Sequence, residues 1–115
     1  MNIKINFHQM PHSDGIEQHA REKLQKVATL LKKSEDVHPI SAELFLNAHP
    51  TNAHHEVELR VKAGSVSAVA HDKGADMYLI IDSVIDKTVG QLKRDKERFD
   101  DKKHKVSTPK GEFRS

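Results

Sequence analysis

Basic side chains crowd the last third of the chain. Residues 87–105 contain eight lysines and arginines against four acids, whereas residues 72–86 contain four aspartates against Lys73 alone. Two more lysines, Lys23 and Lys26, are spaced i, i+3 and would lie on one face of a helix. Clustered helical bases can neutralise phosphates, so the pattern indicates an anionic partner such as RNA. A solvated helix surface of mixed charge remains the alternative.

The sequence contains no convincing catalytic motif. Asp82 and Asp86 are spaced i, i+4 and would share a helix face, but a carboxylate pair without a pocket is usually solvated. The chain has no glycine-rich phosphate loop, no Gly-x-Ser-x-Gly elbow and no cysteine. We therefore expect that the protein is not an enzyme and uses no cofactor.

A metal site is also not expected. His49, His54 and His55 fall in a loop region, where two imidazoles could meet a metal ion. A tight site needs three or four ligands with supporting hydrogen bonds, and no acid nearby has suitable spacing. Solvated loop histidines are the simpler interpretation.

Composition favours one domain that recognises RNA by backbone and shape. The chain has 115 residues, the usual size of a single domain, and only 4% aromatic residues without tryptophan, which argues against base stacking. No apolar run approaches the roughly 18 residues of a membrane span. The N-terminus, residues 1–6, alternates in polarity instead of forming a signal-peptide core, so we expect a cytoplasmic protein.

The hydrophobic periods predict the order β-α-β-β-β-α, an α+β fold with a four-stranded sheet and two helices on one face. Strict alternation predicts the first strand at residues 2–8. A helical stripe begins at Ile16, with Ser13 or Asp14 as its N-cap, and ends near Lys33. Three strands follow: Leu44 and Leu46 share a face in the first, where Phe45 interrupts the pattern, and Val57 and Leu59 alternate with polar residues in the second, which a tight hairpin at residues 63–65 joins to the third. A long helix is predicted from Lys73 or Gly74 to near residue 103, and its apolar stripe almost stops after Leu92, so its second half should project. We expect a domain over residues 1–103 and a disordered basic tail over residues 104–115.

The second helix also carries a specific motif. Asp76-Met77-Tyr78, Ile81-Asp82, Ile85-Asp86-Lys87 and Gln91-Leu92 follow one another at fixed spacing, and Lys23-Leu24-Gln25-Lys26 lies in the first helix. This pattern strongly resembles the bacterial ribosome hibernation promoting factor and ribosome-associated inhibitor family, in a short form. The resemblance covers roughly residues 2–98 and implies a fold similar to a double-stranded-RNA-binding domain.

The resemblance implies a translation inhibitor that keeps ribosomes inactive in stationary phase or stress. Such proteins bind 16S rRNA of the small subunit, in the channel for mRNA and tRNA. The implied partners are the small subunit and the whole ribosome, and for some short members a separate ribosome modulation factor; no DNA or membrane partner is implied. RNA contacts are carried by matching position onto Lys23, Lys26, Lys87, Arg94, Lys96 and Arg98. Lys93 is added as a basic neighbour, and Asp76 and Tyr78 are motif residues with a structural or binding role.

Two positions depart from the family pattern. Gly90 stands where the family usually has arginine, and Glu17 where it often has a base. Both changes lower the positive charge, and Gly90 costs about 1 kcal/mol of helix propensity relative to alanine. Short members either favour ribosome dimers or hold single ribosomes inactive, and the sequence leaves both open. A protein-interaction module of the same fold, without ribosome binding, is the competing hypothesis.

Overall fold

The computed structural model describes residues 1–32, 39–48, 54–64 and 66–104, with the side chains of the last helix described as far as Asp95. The predicted α+β order is confirmed, with the first helical segment divided in two. The elements are β1 (Asn2–His8), α1 (Asp14–Lys23), α2 (Gln25–Leu30), β2 (Ile40–Asn47), β3 (His55–Ala63), β4 (Val66–Gly74) and α3 (Met77–His104). None of the described helices is both long and apolar enough to cross a membrane.

The four strands form one mixed sheet in the order β1-β2-β3-β4. β1 pairs in parallel with β2 because α1 and α2 lie between them in the chain, whereas β2, β3 and β4 pair antiparallel. Gly64 follows β3 with a φ of 62°, a left-handed conformation that a glycine adopts without strain. Ser65, the last residue of the predicted hairpin connection, lies outside the described residues.

Strand alternation separates a buried face from an open face. In β2, Leu44 and Leu46 are fully buried, and in β3 Val57 and Leu59 are fully buried beside them. Phe45, which interrupts the predicted pattern, points to the open face, where the Arg60 guanidinium lies 5.2 Å from the centre of its ring. The interruption is explained by this contact, because the guanidinium of an arginine packs favourably on an aromatic face.

The first helical segment follows its predicted stripe but is not one helix. The Ser13 hydroxyl accepts a hydrogen bond from the Ile16 N–H at 3.2 Å, as expected of an N-cap. Ala20, Leu24 and Val27 are fully buried against the sheet. The α-helical pattern is interrupted at Leu24, whose ψ of −11° separates α1 from α2. The predicted end near Lys33 lies outside the described residues.

The long helix begins three or four residues later than predicted. β4 continues to Gly74, so α3 begins at Met77 instead of at residue 73 or 74. The predicted stripe is confirmed, since Ile81, Val84 and Leu92 are each no more than 1% exposed. The helical backbone passes Gly90 without a break and continues to His104. α3 therefore packs on the sheet over several successive turns. Among the described side chains, Leu92 is its last buried one.

Candidate nucleic-acid interface

Lys26 and Lys93, two of the predicted bases, lie on the helical side of the sheet, where two cross-helix contacts join the helices. His19 Nε2 lies 2.8 Å from Asp82 Oδ1, and Lys26 Nζ lies 3.2 Å from Asp86 Oδ1. Lys23 is half-buried and lies four residues after His19 and three before Lys26, on the same side of the helical segment. The structure thus brings Lys26 of α2 against α3, and Lys23 lies about one turn before it on the same segment.

A groove between α2 and α3 holds two of the predicted bases. This α2–α3 groove has a volume of about 700 Å³, and Lys26 and Lys93 lie on its two walls. Its other lining residues are Glu22, Gln25, Thr29, Leu30, Asp86 and Val89. Lys26 and Lys93 are exposed, so both ammonium groups can reach a phosphate in the groove.

A second hollow follows the outer side of α3 and holds two further predicted bases. This outer α3 hollow has a volume of about 730 Å³ and includes Lys87 and Arg94. Its remaining lining residues are Leu79, Asp82, Ser83, Asp86, Gly90 and Gln91. A Cβ at Gly90 would lie 3.7 Å from Arg94 Nη1, an ordinary contact, so the glycine does not serve to make room there. The described bases of α3 therefore divide between the two sides of the helix, with Lys93 on one side and Lys87 and Arg94 on the other.

Lys87 is the predicted base most engaged by the protein itself. Its ammonium group lies 3.5 Å from Asp72 Oδ2 and donates a hydrogen bond to the His71 carbonyl at 3.3 Å. Asp72 also accepts hydrogen bonds from the Ser83 hydroxyl and the Lys73 N–H, and these together with Lys87 hold the pKa of its carboxyl below the ordinary value. Lys87 therefore has a structural role beside any contact with RNA.

The sequence reasoning missed how α3 covers the free edge of β4. The Gln91 side-chain amide donates to the Val69 carbonyl at 2.8 Å, and Lys87 donates to the His71 carbonyl two residues further along the same strand. Both carbonyls lie on the side of β4 that faces away from β3. In the motif Gln91-Leu92, the glutamine amide therefore binds a backbone carbonyl at the free edge of β4, and the leucine is buried. The role of the glutamine depends on a contact with another element, so no local sequence pattern indicates it.

Asp76 and Tyr78 have identifiable structural contacts. Asp76 Oδ1 accepts a hydrogen bond from the Tyr78 N–H at 2.9 Å, which makes Asp76 the N-cap of α3. Tyr78 contacts α1, with its ring meeting the His19 ring edge-on at a centroid distance of 5.0 Å, and it remains 43% exposed. A part for either residue in binding stays a prediction.

Glu17, the acid at one of the departures from the family pattern, belongs to a local network. It accepts a hydrogen bond from Arg21 Nε at 2.9 Å and contacts His12 Nε2. The contact with His12, followed by that with Arg21, holds the pKa of the Glu17 carboxyl below its ordinary value. Its negative charge is therefore partly offset, and Glu17 does not line the α2–α3 groove.

Several predicted features fall outside what the structure describes. Lys96 and Arg98 lie in the helical range of α3, but their side chains are beyond the described part. Of the tail expected over residues 104–115, His104 belongs to α3 and the remainder is outside the described residues, as is His49 of the loop. Within the described ranges no three histidine or acidic side chains are grouped so as to hold a metal ion. Asp82 and Asp86, considered as a carboxylate pair, contact His19 and Lys26 respectively.

Comparison with known proteins identifies relatives of this fold. A family model described as sigma 54 modulation protein / S30EA ribosomal protein matches residues 3–100. The crystal structure of the N-terminal domain of Protein Y from Thermus thermophilus is similar, with a TM-score of 0.66, 24% identity and coverage of 82% of this chain and 98% of that one. A ribosomal subunit interface protein from Coxiella burnetii has a TM-score of 0.69 at 18% identity, with 84% and 99% covered. At these identities the two structures support the fold.

Proposed function

Because the chain belongs to the sigma 54 modulation protein / S30EA ribosomal protein family, we propose that it is a ribosome-associated inhibitor of translation that binds the small subunit through the helical side of its sheet. The observation that carries the proposal is the convergence of Lys26 and Lys93 in the α2–α3 groove, with Arg94 exposed in the hollow on the other side of α3. Bases supplied by two helices across a groove suit the phosphate backbone of folded RNA, which is recognised mainly by shape.

The two sides of the sheet differ in the way this proposal requires. On the open face Glu58 accepts a hydrogen bond from Arg60, and Glu43 lies 4.0 Å from Lys4, which leaves Lys62 as a single exposed lysine without a described carboxylate partner. On the helical side Lys93 and Arg94 have no carboxylate within ion-pair distance among the described side chains. Phosphate contacts are therefore assigned to the helical side.

The finer part of the proposal concerns the location on the ribosome and the condition of the cell. The protein binds 16S rRNA in the channel used by mRNA and tRNA, and it keeps idle ribosomes inactive during stationary phase or stress, in the cytoplasm. A separate ribosome modulation factor is a further proposed partner. The name of the Coxiella burnetii protein, ribosomal subunit interface protein, supports the association. The function needs no chemical step, so we propose that the protein is not an enzyme.

The proposal is tested by co-sedimentation of the purified protein with small subunits and with whole ribosomes at two salt concentrations. The variant Lys93→Glu/Arg94→Glu reverses two exposed bases of α3, and we expect at least about a tenfold loss of affinity for the small subunit. The matched control is Lys4→Glu/Lys62→Glu, which reverses two exposed lysines on the open face of the sheet. This control should bind within about twofold of the wild type.

The outcomes separate the candidate functions. Salt-sensitive, near-stoichiometric binding that only the α3 variant loses supports the proposal. Equal loss in both variants would show that net charge alone governs binding and would overturn the assignment of the surface. No binding of the wild type at low salt would overturn the proposed function in favour of a protein-interaction module. Naked duplex RNA serves as the reference for generic RNA binding.

A further inference from the structure

We propose that Asp86 is a selectivity residue of the basic surface, which weakens binding to free duplex RNA and so favours the small-subunit site. The inference rests on the proposed function and assigns a role to an acid that a phosphate-binding surface would not be expected to contain. Asp86 lines both the α2–α3 groove and the outer α3 hollow. It therefore stands between the cluster containing Lys93 and the cluster containing Arg94.

The contacts of Asp86 place its negative charge at a predicted RNA contact. Its Oδ1 accepts a hydrogen bond from Lys26 Nζ at 3.2 Å, across the groove. A phosphate that approaches Lys26 must either break this ion pair or come close to the Asp86 carboxylate. Repulsion between like charges at such distances opposes binding, most strongly at low salt.

Stability does not account for an aspartate at this position. The Asp86 and Lys26 side chains are 66% and 53% exposed, and an exposed ion pair typically contributes about 0–1 kcal/mol to folding. Asp72 provides the contrast, because its side chain is 32% exposed and joins β4 to both Ser83 and Lys87 of α3. Asp72 holds two elements together, whereas Asp86 leaves most of its carboxylate to the solvent between two groups of bases.

The position of Asp86 should change the affinity for a regular duplex more than the affinity for a folded RNA. A regular duplex presents phosphates continuously, so a duplex that follows α3 past Lys93 and Arg94 also brings phosphates to Asp86. A folded RNA surface has irregularly placed phosphates, and it can supply them to Lys93 and Arg94 while leaving Asp86 to solvent or to a cation. Asp86 thereby lowers the affinity for free duplex RNA more than the affinity for a matching ribosomal site.

The test compares Asp86→Asn with Glu43→Gln, which removes the same charge from the open face of the sheet. The Glu43 side chain is 39% exposed and contacts Asn6 and Lys4 there, away from both hollows. Dissociation constants are measured for purified small subunits and for a duplex RNA of non-ribosomal sequence, each across a salt series. Circular dichroism of both variants establishes that they fold as the wild type does.

We expect Asp86→Asn to bind the duplex roughly three- to fivefold more tightly at low salt and to bind the small subunit more tightly by a smaller factor, because Lys26 is released for both RNAs but only the duplex brings phosphates to position 86. Glu43→Gln should change neither constant by more than about twofold. An unchanged ratio of the two constants in Asp86→Asn, or an equal tightening by Glu43→Gln, would overturn the inference. Wild-type protein that fails to bind the small subunit would instead refute the proposed function, and the duplex measurement would still report whether Asp86 repels phosphate.

Discussion

Two regions of the helical side use the same residue types for different purposes. In the region where α3 begins, which we call the packed end, Asp72, Asp76 and Asp82 each have a partner within the fold. In the region around Lys93, which we call the exposed end, Lys93 and Arg94 extend into solvent without a described carboxylate partner. The difference is one of burial and partners, because both ends combine aspartates with basic residues.

The packed end shows why counting charges along the sequence overstates a binding surface. Lys87 belongs to the basic cluster by sequence, yet its ammonium group contacts the Asp72 carboxylate and the His71 carbonyl of β4. A base held in this way must exchange protein contacts for phosphate contacts, so it contributes less to affinity than a base that is paired with water alone. The exposed end is where the affinity for RNA should be concentrated.

The largest effect is expected from the core beneath the packed end. Ile81→Ala removes a side chain that is fully buried, and it should lower the free energy of unfolding by about 3 kcal/mol through lost burial and a residual cavity. Leu79→Ala alters a leucine that is 64% exposed and should change stability by less than about 0.5 kcal/mol. Urea denaturation measures both. Similar losses in the two variants would mean that the packing face of α3 is assigned incorrectly.

A smaller effect is expected at the N-cap of α3. Asp76→Ala removes the carboxylate that accepts from the Tyr78 N–H and should cost about 1 kcal/mol of stability. Asp76→Asn keeps an acceptor oxygen and should retain most of that stability. Denaturation gives the stability, and co-sedimentation with small subunits should show little change in either variant. A large loss of binding in a fully folded Asp76→Asn would give this aspartate a direct part in recognition.

The smallest effect is a pH dependence at Asp72. Because the folded state holds the pKa of Asp72 below its unfolded value, this group adds stability above the unfolded pKa, and that stability is lost as the pH falls through the folded pKa. The decrease in unfolding free energy from pH 5 to pH 2 should therefore be smaller in Asp72→Asn than in the wild type. Ser83→Ala, which removes the largest cause of the shift, should cost about 1 kcal/mol at pH 7 and also flatten the profile. Identical profiles in all three proteins would exclude this contribution of Asp72.

Local sequence patterns predicted those parts of the fold in which neighbouring residues alone determine whether a side chain is buried. Alternation placed Val57 and Leu59 on the buried face of β3, and residue type before a helical stripe gave two N-cap candidates, Ser13 and Asp14, of which Ser13 is the cap. The prediction failed at junctions. β4 continues through Gly74 because its pairing with His55 of β3 extends that far, and pairing between strands is not a local property. The division of the first helical segment at Leu24 likewise lies within a continuous apolar stripe, and no glycine or proline marks it in the sequence.

By itself, the sequence determined the element order, the apolar faces and the presence of bases on two helices, since each depends on residue types at short, regular spacing. Only the tertiary structure decided which of those bases remain available. Lys26 meets Asp86, 60 residues away, and Lys87 meets Asp72 and the edge of β4. Such pairs depend on how the helices lie on the sheet. The same packing leaves Lys93 and Arg94 exposed beside an aspartate, and that arrangement defines the proposed RNA surface.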